Sequence, residues 1–262
     1  MSIITLTTDF GLKDPFVGIM KGVILSINPQ VILVDLTHEI FPQNIKEAAF
    51  VLQSAYRFFP KGTIHVAVVD PGVGSRRRPL LVQTQDYFFI APDNGVLELI
   101  FRENEVKVYY LNDPKYFFKK VSNTFHGRDV FAPVAAHLTL GIPPEKLGIE
   151  IDDFKRLEWP LPQTEGNILK GEIIYIDHFG NLITNISQGV FQHFVNTQPF
   201  SIKIKEVTLN QVVSHYLAVP PGKFIAIWDS SGYLEIACSL GNAKEKLGVR
   251  VGEKIEVELL EK

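Results

Sequence analysis

The stretch His65-Val66-Ala67-Val68-Val69-Asp70-Pro71-Gly72-Val73-Gly74-Ser75-Arg76-Arg77-Arg78-Pro79 decides the fold. Its first half is apolar and largely β-branched, the pattern of a buried strand in a mostly parallel sheet. The run stops on a carboxylate, Asp70. Pro71 and Gly72 turn the chain, Gly74 permits backbone that other residues resist, and three arginines follow. Open α/β sheets bind ligands beyond the carboxyl ends of their strands. An acid there, with guanidinium groups close behind it, marks a candidate site. The same residues also make an ordinary turn followed by a solvated basic face, and this stretch alone leaves both readings open.

Outward from it, the chain alternates strand and helix. A strand over 3–7 ends at Thr8-Asp9-Phe10-Gly11. Asp14-Pro15 reads as a helix start with Asp14 as cap. Phe16, Met20, Val23, Ile24 and Ile27 then keep helical spacing up to Asn28-Pro29. A strand over 31–34 ends at Asp35, and an amphipathic helix over 45–59 stops at Pro60-Lys61-Gly62. Strands at 80–84, 87–91 and 106–111, a short helix at 96–101 and a helix at 130–140 follow, the last with Asp129 as N-cap and Pro133 in its first turn. The alternation implies right-handed crossovers and a mostly parallel sheet in a three-layer α/β domain.

Prolines 143, 144, 160 and 162 punctuate an aperiodic stretch that marks a boundary, giving an N-terminal α/β domain over 1–162 and a second domain over 167–262. The second holds short strands at 171–176, 182–186, 200–204, 224–228, 233–237 and 254–260, with a helical turn near 190–194. That texture predicts an antiparallel barrel or sandwich.

With 262 residues, 46% hydrophobic and 21% charged, the composition is that of a globular protein with ample core. A net charge of −3 argues against a general nucleic-acid binder. The one cysteine, Cys238, lies in an apolar run and reads as a buried thiol, and its solitude fits a reducing cytoplasm. No basic leader precedes the first strand, and no apolar run approaches the roughly 18 residues that span a bilayer. The expectation is a cytoplasmic protein without membrane contact.

Phosphate loops of the Gly-x-x-x-x-Gly-Lys-Ser/Thr type are absent, and Gly72-x-Gly74 is followed by Arg77 where a dinucleotide fingerprint needs glycine. What recurs is an acid at a strand end: Asp9, Asp35, Asp70 and Asp177. A carboxylate can grip two neighbouring ribose hydroxyls through charge-assisted hydrogen bonds, and Asp9 beside Gly11 is a candidate, although each of these acids also serves as a turn or cap. Of the 7 histidines, His65 falls inside a strand and reads as core. His126 precedes Gly127 at a helix start, where imidazolium is disfavoured and a neutral ring can accept a proton; an ordinary loop histidine is the alternative. Asp35, His38 and Asp70 raise a metal-dependent hydrolase. No helical His-x-x-x-His or Cys pair accompanies them, and no metal is expected.

Six stretches share one further property. Thr8-Asp9-Phe10-Gly11-x-x-Asp14-Pro15-Phe16-Val17-Gly18, Val69-Asp70-Pro71-Gly72-Val73-Gly74-Ser75, Ala91-Pro92-Asp93-Asn94-Gly95, Thr124-Phe125-His126-Gly127-Arg128-Asp129, Asp177-His178-Phe179-Gly180-Asn181 and Gly232-Tyr233-Leu234-Glu235-Ile236-Ala237 together resemble the S-adenosylmethionine (SAM) hydroxide adenosyltransferases, or SAM hydrolases, relatives of the fluorinases and chlorinases. The resemblance runs from near residue 3 to near residue 250, with the motifs in family order. It implies an N-terminal α/β domain, a C-terminal β-barrel, and a homotrimer with sites between one subunit's N-terminal and the next subunit's C-terminal domain. The implied reaction converts SAM and water to adenosine and methionine, without metal or cofactor.

By the same resemblance, Asp70, Arg77 and His126 activate water, with Arg76 the alternative in the run. Asp9 holds the ribose. Asn181 contacts adenine beside Phe179, and Asp14, Asp177 and Ser230 face the methionine end. Phe16, Tyr233 and Glu235 join the substrate-binding set, and Ser231 stands where the halogenases place an arginine. Those enzymes carry tyrosine in place of Asp70, and tyrosine-serine or tyrosine-glycine in place of His126-Gly127. A fixed carboxylate repels halide but accepts a hydrogen bond from water, so hydrolysis is expected. A 5′-halogenase and a non-catalytic SAM or adenosine binder are the alternatives.

Overall fold

A six-residue strand, β1 (Ile3–Thr8), opens the chain in the computed structural model, which describes residues 2–260. After it come α1 (Phe16–Ile27), β2 (Ile32–Thr37), α2 (Ile45–Ala55), β3 (Ile64–Val68), β4 (Pro79–Gln83), β5 (Phe88–Pro92), α3 (Glu98–Glu103) and β6 (Lys107–Leu111). A wide helical turn, Gly127–Phe131, runs into α4 (Ala132–Thr139), followed by α5 (Pro144–Leu147) and β7 (Gly148–Ile151). These elements build the first of two units, Met1–Glu158. Its sheet has the order β2-β1-β3-β5-β4-β6-β7. The first four of these strands pair in parallel, and β4, β6 and β7 extend the sheet antiparallel.

The apolar run of β3 is buried on both faces, as a central strand must be. Val66 and Val68 join Met20 and Ile24 of α1 and Val134 of α4 in one core. Ala67 and Val69 join Ala48 and Leu52 of α2 and Ile100 of α3 in the other. The unit is therefore three-layered.

Three local expectations change. Helix α1 starts after Pro15 with no side-chain cap, and Asp14 is exposed; proline presets the helical φ and has no N–H to cap. Asp129 lies inside the wide turn, fully buried, with its carboxylate taken by Arg128 and the Ser122 N–H. Asp35 sits within β2, which runs on to Thr37 past a register shift against Leu6 and Thr7. The wide turn also explains Pro133. Ala132 donates back to Gly127 O, and the Asp129 carbonyl, which helix geometry would offer to residue 133, accepts from Phe118 N–H at 2.7 Å. Strand β7, from the proline-punctuated stretch, has no counterpart in the sequence pattern.

His65 is core. Its Nδ1 lies 2.8 Å from Thr5 Oγ1, and Phe59, Phe89 and Tyr87 surround the ring. Burial pushes its pKa down from 6.5 to about 3. The unfolded chain therefore binds a proton that the folded one refuses, and stability present above pH 6.5 declines as the pH falls toward 3. Urea midpoints measured across that window should fall less steeply in His65→Gln than in the parent; equal slopes would contradict this assignment.

The second unit, Trp159–Lys262, contains β8 (Gln163–Glu165), β9 (Ile168–Ile176), β10 (Leu182–Ser187), α6 (Gln188–Val195), β11 (Phe200–Ile204), β12 (Val207–Leu209), β13 (Val212–Val213), β14 (Phe224–Trp228), β15 (Tyr233–Cys238), α7 (Ala243–Leu247) and β16 (Lys254–Leu259). The strands run β12-β11-β16-β9-β10-β15-β14-β13, antiparallel except for the last pair, and β12 returns to touch β14. The sheet thus curls into a nearly closed barrel around Ile173, Ile186, Ile202, Leu234, Ile236 and Val257. Cys238 is buried within it.

Candidate active site

Strands β1 and β3 are parallel neighbours, with Thr8 opposite Val68. Asp9 and Asp70 therefore emerge side by side from the carboxyl edge of the sheet. The turn after Asp70 closes with Val73 N–H on Asp70 O and Ser75 N–H on Gly72 O. Gly74 has φ +75°, and the Asn123 carbonyl oxygen fills the space that a Cβ would need. Glycine at this point lets the 70–78 loop lie directly on the 122–126 loop, bringing Arg77 to His126.

Arg77 is the hub. Its Nε donates to Asp70 Oδ1 at 2.9 Å, and its Nη2 donates to Asp70 Oδ2 and, at 2.7 Å, to His126 Nδ1. The side chains of Arg77 and Asp70 are 3% and 5% exposed, so the pair is dry. The guanidinium lies over the Phe131 ring, 5.3 Å from its centroid. The other arginines of the run go elsewhere: Arg76 is exposed, and Arg78 binds Asp93 and Asp153.

His126 stands at the N-cap of the wide turn. Burial, and then the Arg77 charge, hold its pKa below 6.5 against the opposing pull of Asp70 and Asp129. Because Arg77 donates to Nδ1, a neutral ring carries its proton on Nε2. His126 is thus arranged to donate a hydrogen bond from Nε2, whereas the Asp70 carboxylate, which lines the same cavity, is an acceptor.

Asp70 and His126 line one cavity of about 410 Å³, together with Asp9, Phe10, Phe16, Pro42, Gln43, Val68, Pro71, Val73, Thr124, Phe125 and Gly127. Its volume is in the range of small-molecule sites. Phe10, Phe16 and Phe125 form an edge-to-face trio with centroids 5.3–5.9 Å apart, a wall of π-faces and edges suited to a soft cation. Asp9 Oδ2 accepts from the Gln43 N–H at 2.8 Å, and Gln43 has a positive φ of 66°. Pro42 and Gln43 carry no side-chain signal of this role; only their place in the loop after β2 could have indicated it. Asp14 does not line the cavity.

The remaining candidates lie on the second unit. Asp177 Oδ1 accepts from the Phe179 and Asn181 N–H groups, and Oδ2 from Asn181 Nδ2 at 2.9 Å, so the acid organises its own turn. Phe179 is exposed and Asn181 buried. Ser230 is exposed, and Tyr233 opens β15. Glu235 is buried, and its pKa is pushed up to about 7, first by burial and then by the charges of Asp177 and Asp229, while a hydrogen bond with Tyr216 opposes the rise. Tyr216 had no sequence signal. The rival metal set does not assemble: His38 Nε2 faces Asp35 at 3.0 Å, Asp70 is committed to Arg77, and no group of three or more metal-ligating side chains occurs among the described residues.

An α/β unit with an acid, a guanidinium and an imidazole beyond its strand ends, followed in the same chain by a β-barrel, defines the class. The chain belongs to the SAM hydroxide adenosyltransferase family. The family's N-terminal domain matches residues 4–148, and its C-terminal domain matches residues 171–256. An (R)-S-adenosyl-L-methionine hydrolase of Thermus thermophilus is 36% identical over 95% of this chain and 97% of its own. The crystal structure of an uncharacterized conserved protein from Thermotoga maritima superposes with a TM-score of 0.90 at 37% identity, covering 98% of this chain and 99% of that one. A fluorinase of Nocardia brasiliensis is more distant, 27% identical over 98% of this chain and 97% of its own.

Proposed function

We propose that this protein hydrolyses SAM to adenosine and L-methionine, by in-line attack of a water oxygen on C5′ of the substrate. The observation that carries the reading is the placement of Asp70 and His126 on one cavity wall, joined from behind by Arg77. Methionine departs as a neutral thioether, so no general acid is needed. What remains is to hold one water behind C5′ and to accept its proton as the C–O bond forms. The His126 Nε2–H orients that water, Asp70 takes the proton, and Arg77 fixes the direction of both. The aromatic trio faces the sulfonium, and Asp9 holds the ribose hydroxyls.

The same proposal assigns substrate contacts to Asp14, Phe16, Asp177, Phe179, Asn181, Ser230, Tyr233 and Glu235. It takes the protein to be a cytoplasmic homotrimer that needs neither metal nor cofactor, in which barrel residues serve the site of a neighbouring copy. Sedimentation at three times the chain mass tests the assembly. The carboxylate of Asp70 favours water over halide as the nucleophile. Incubation with SAM in ¹⁸O-water should place the label on the adenosine 5′-hydroxyl. Unlabelled adenosine, a 5′-halo product in chloride or fluoride, or tight adenosine binding without turnover would refute the hydrolytic reading.

A further inference from the structure

Behind the Asp9 wall runs a chain of polar contacts that the mechanism above does not use. Lys21 Nζ donates to Asp35 Oδ2 at 2.6 Å. Asp35 Oδ1 lies 3.0 Å from His38 Nε2, and His38 Nδ1 lies 2.8 Å from Thr8 Oγ1. Thr8 Oγ1 accepts from the Phe10 N–H at 3.2 Å, and the His38 carbonyl accepts from the Gly11 N–H at 2.8 Å. Phe10 N–H gives to Thr8 oxygen and Thr8 O–H gives to Nδ1, which leaves the His38 proton on Nε2, facing the Asp35 carboxylate in an ion-pair contact and not in an aligned hydrogen bond. Thr8 is fully buried and His38 is 4% exposed, so no water can stand in for a lost link without cost. The two backbone groups caught by this chain belong to Phe10 and Gly11, which directly follow Asp9.

We propose that His38 and Thr8 are positioning residues. Through Asp35 and Lys21 they bolt the loop after β1 to β2 and the loop behind it, and so fix where the Asp9 carboxylate stands in the cavity. Gln43 N–H completes the clamp from the same loop. The inference rests on the reading of Asp9 as the group that holds the ribose hydroxyls. Its signature is a loss of affinity that appears only when the ligand has those hydroxyls, whereas general loosening of the fold would weaken every ligand of the cavity alike.

The test is calorimetric titration of the full-length protein with adenosine and with 2′,3′-dideoxyadenosine. Thr8→Val keeps the shape and removes the hydroxyl. It should weaken adenosine binding about tenfold, the weight of one buried hydrogen bond, and leave the dideoxy ligand unchanged. Thr8→Ser should bind both as the parent does. In SAM turnover the Thr8→Val defect should appear in KM rather than kcat. Asp35→Ala, at a partly exposed position, should give the same ligand-selective loss and carries the test if the buried variant does not fold. Parent-like adenosine binding by these variants, or equal weakening of both ligands, would overturn the proposal. Asp9→Asn separates the two levels. If it also binds adenosine like the parent, the ribose reading has failed; if it alone shows the selective loss, only the positioning role has.

Discussion

Asp70→Asn should lower the turnover of SAM by about 10²–10⁴-fold, the usual weight of a positioned proton acceptor. KM should change little. The substitution keeps the shape of the side chain and removes the charge that accepts the proton. One amide N–H₂ must also face the guanidinium of Arg77, where two carboxylate oxygens now accept. Asp70→Ala is a poorer probe, since it adds a cavity and strands a buried arginine. Single-turnover formation of adenosine, followed by chromatography, is the measurement. Turnover within about threefold of the parent would remove Asp70 from the chemistry.

Arg77→Leu should be the most damaging single change to the fold of the first unit. The ion pair is almost wholly dry. Deleting one partner leaves Asp70 buried without its counter-charge, at a cost of about 3–5 kcal/mol. For a chain of this length that lowers Tm by roughly 10 °C. Activity should fall with it, because both Asp70 and His126 lose their orienting donor. A spectroscopic signature separates the roles. The Arg77 charge helps to hold the His126 pKa below 6.5, so its removal should move the imidazole titration upward, visible by NMR in the folded variant. Arg76→Ala, at an exposed position, should change neither melting nor titration. Equal losses in the two variants would show that the run acts only as a basic patch.

Much of this arrangement was legible in the sequence because it follows from local rules. An apolar run without alternation had to be a central strand, so Asp70 had to stand at the carboxyl edge. The same logic put Asp9 at a strand end, and the pairing of β1 with β3 in the structure sets it beside Asp70. Gly74 signalled backbone that other residues resist, which its positive φ bears out, while the close approach of the Asn123 carbonyl was not legible. Other features depend on geometry that no local pattern encodes. Asp129 has the form of a cap, yet the wide turn starts earlier and draws it inside against Arg128. Gln43 meets Asp9 through its backbone, so its side chain carries no sign of the contact. Strand β7 lacks an apolar period because it is a short edge strand pairing only with β6. The donor role of His126 was hidden too, since it depends on which ring nitrogen Arg77 reaches.

Three consecutive arginines look interchangeable by composition, yet their heads point to three destinations: solvent, the Asp70–His126 pair, and Asp93 with Asp153. What selects among them is position along the loop that leads into β4, counted from the turn at Pro71-Gly72. Deleting one residue between that turn and the run would slide a different guanidinium toward the imidazole and pull another off its surface anchor, without altering the net charge if the lost residue were Val73 or Ser75. The spacing of this loop is therefore as much a part of the chemistry as the side chains it delivers.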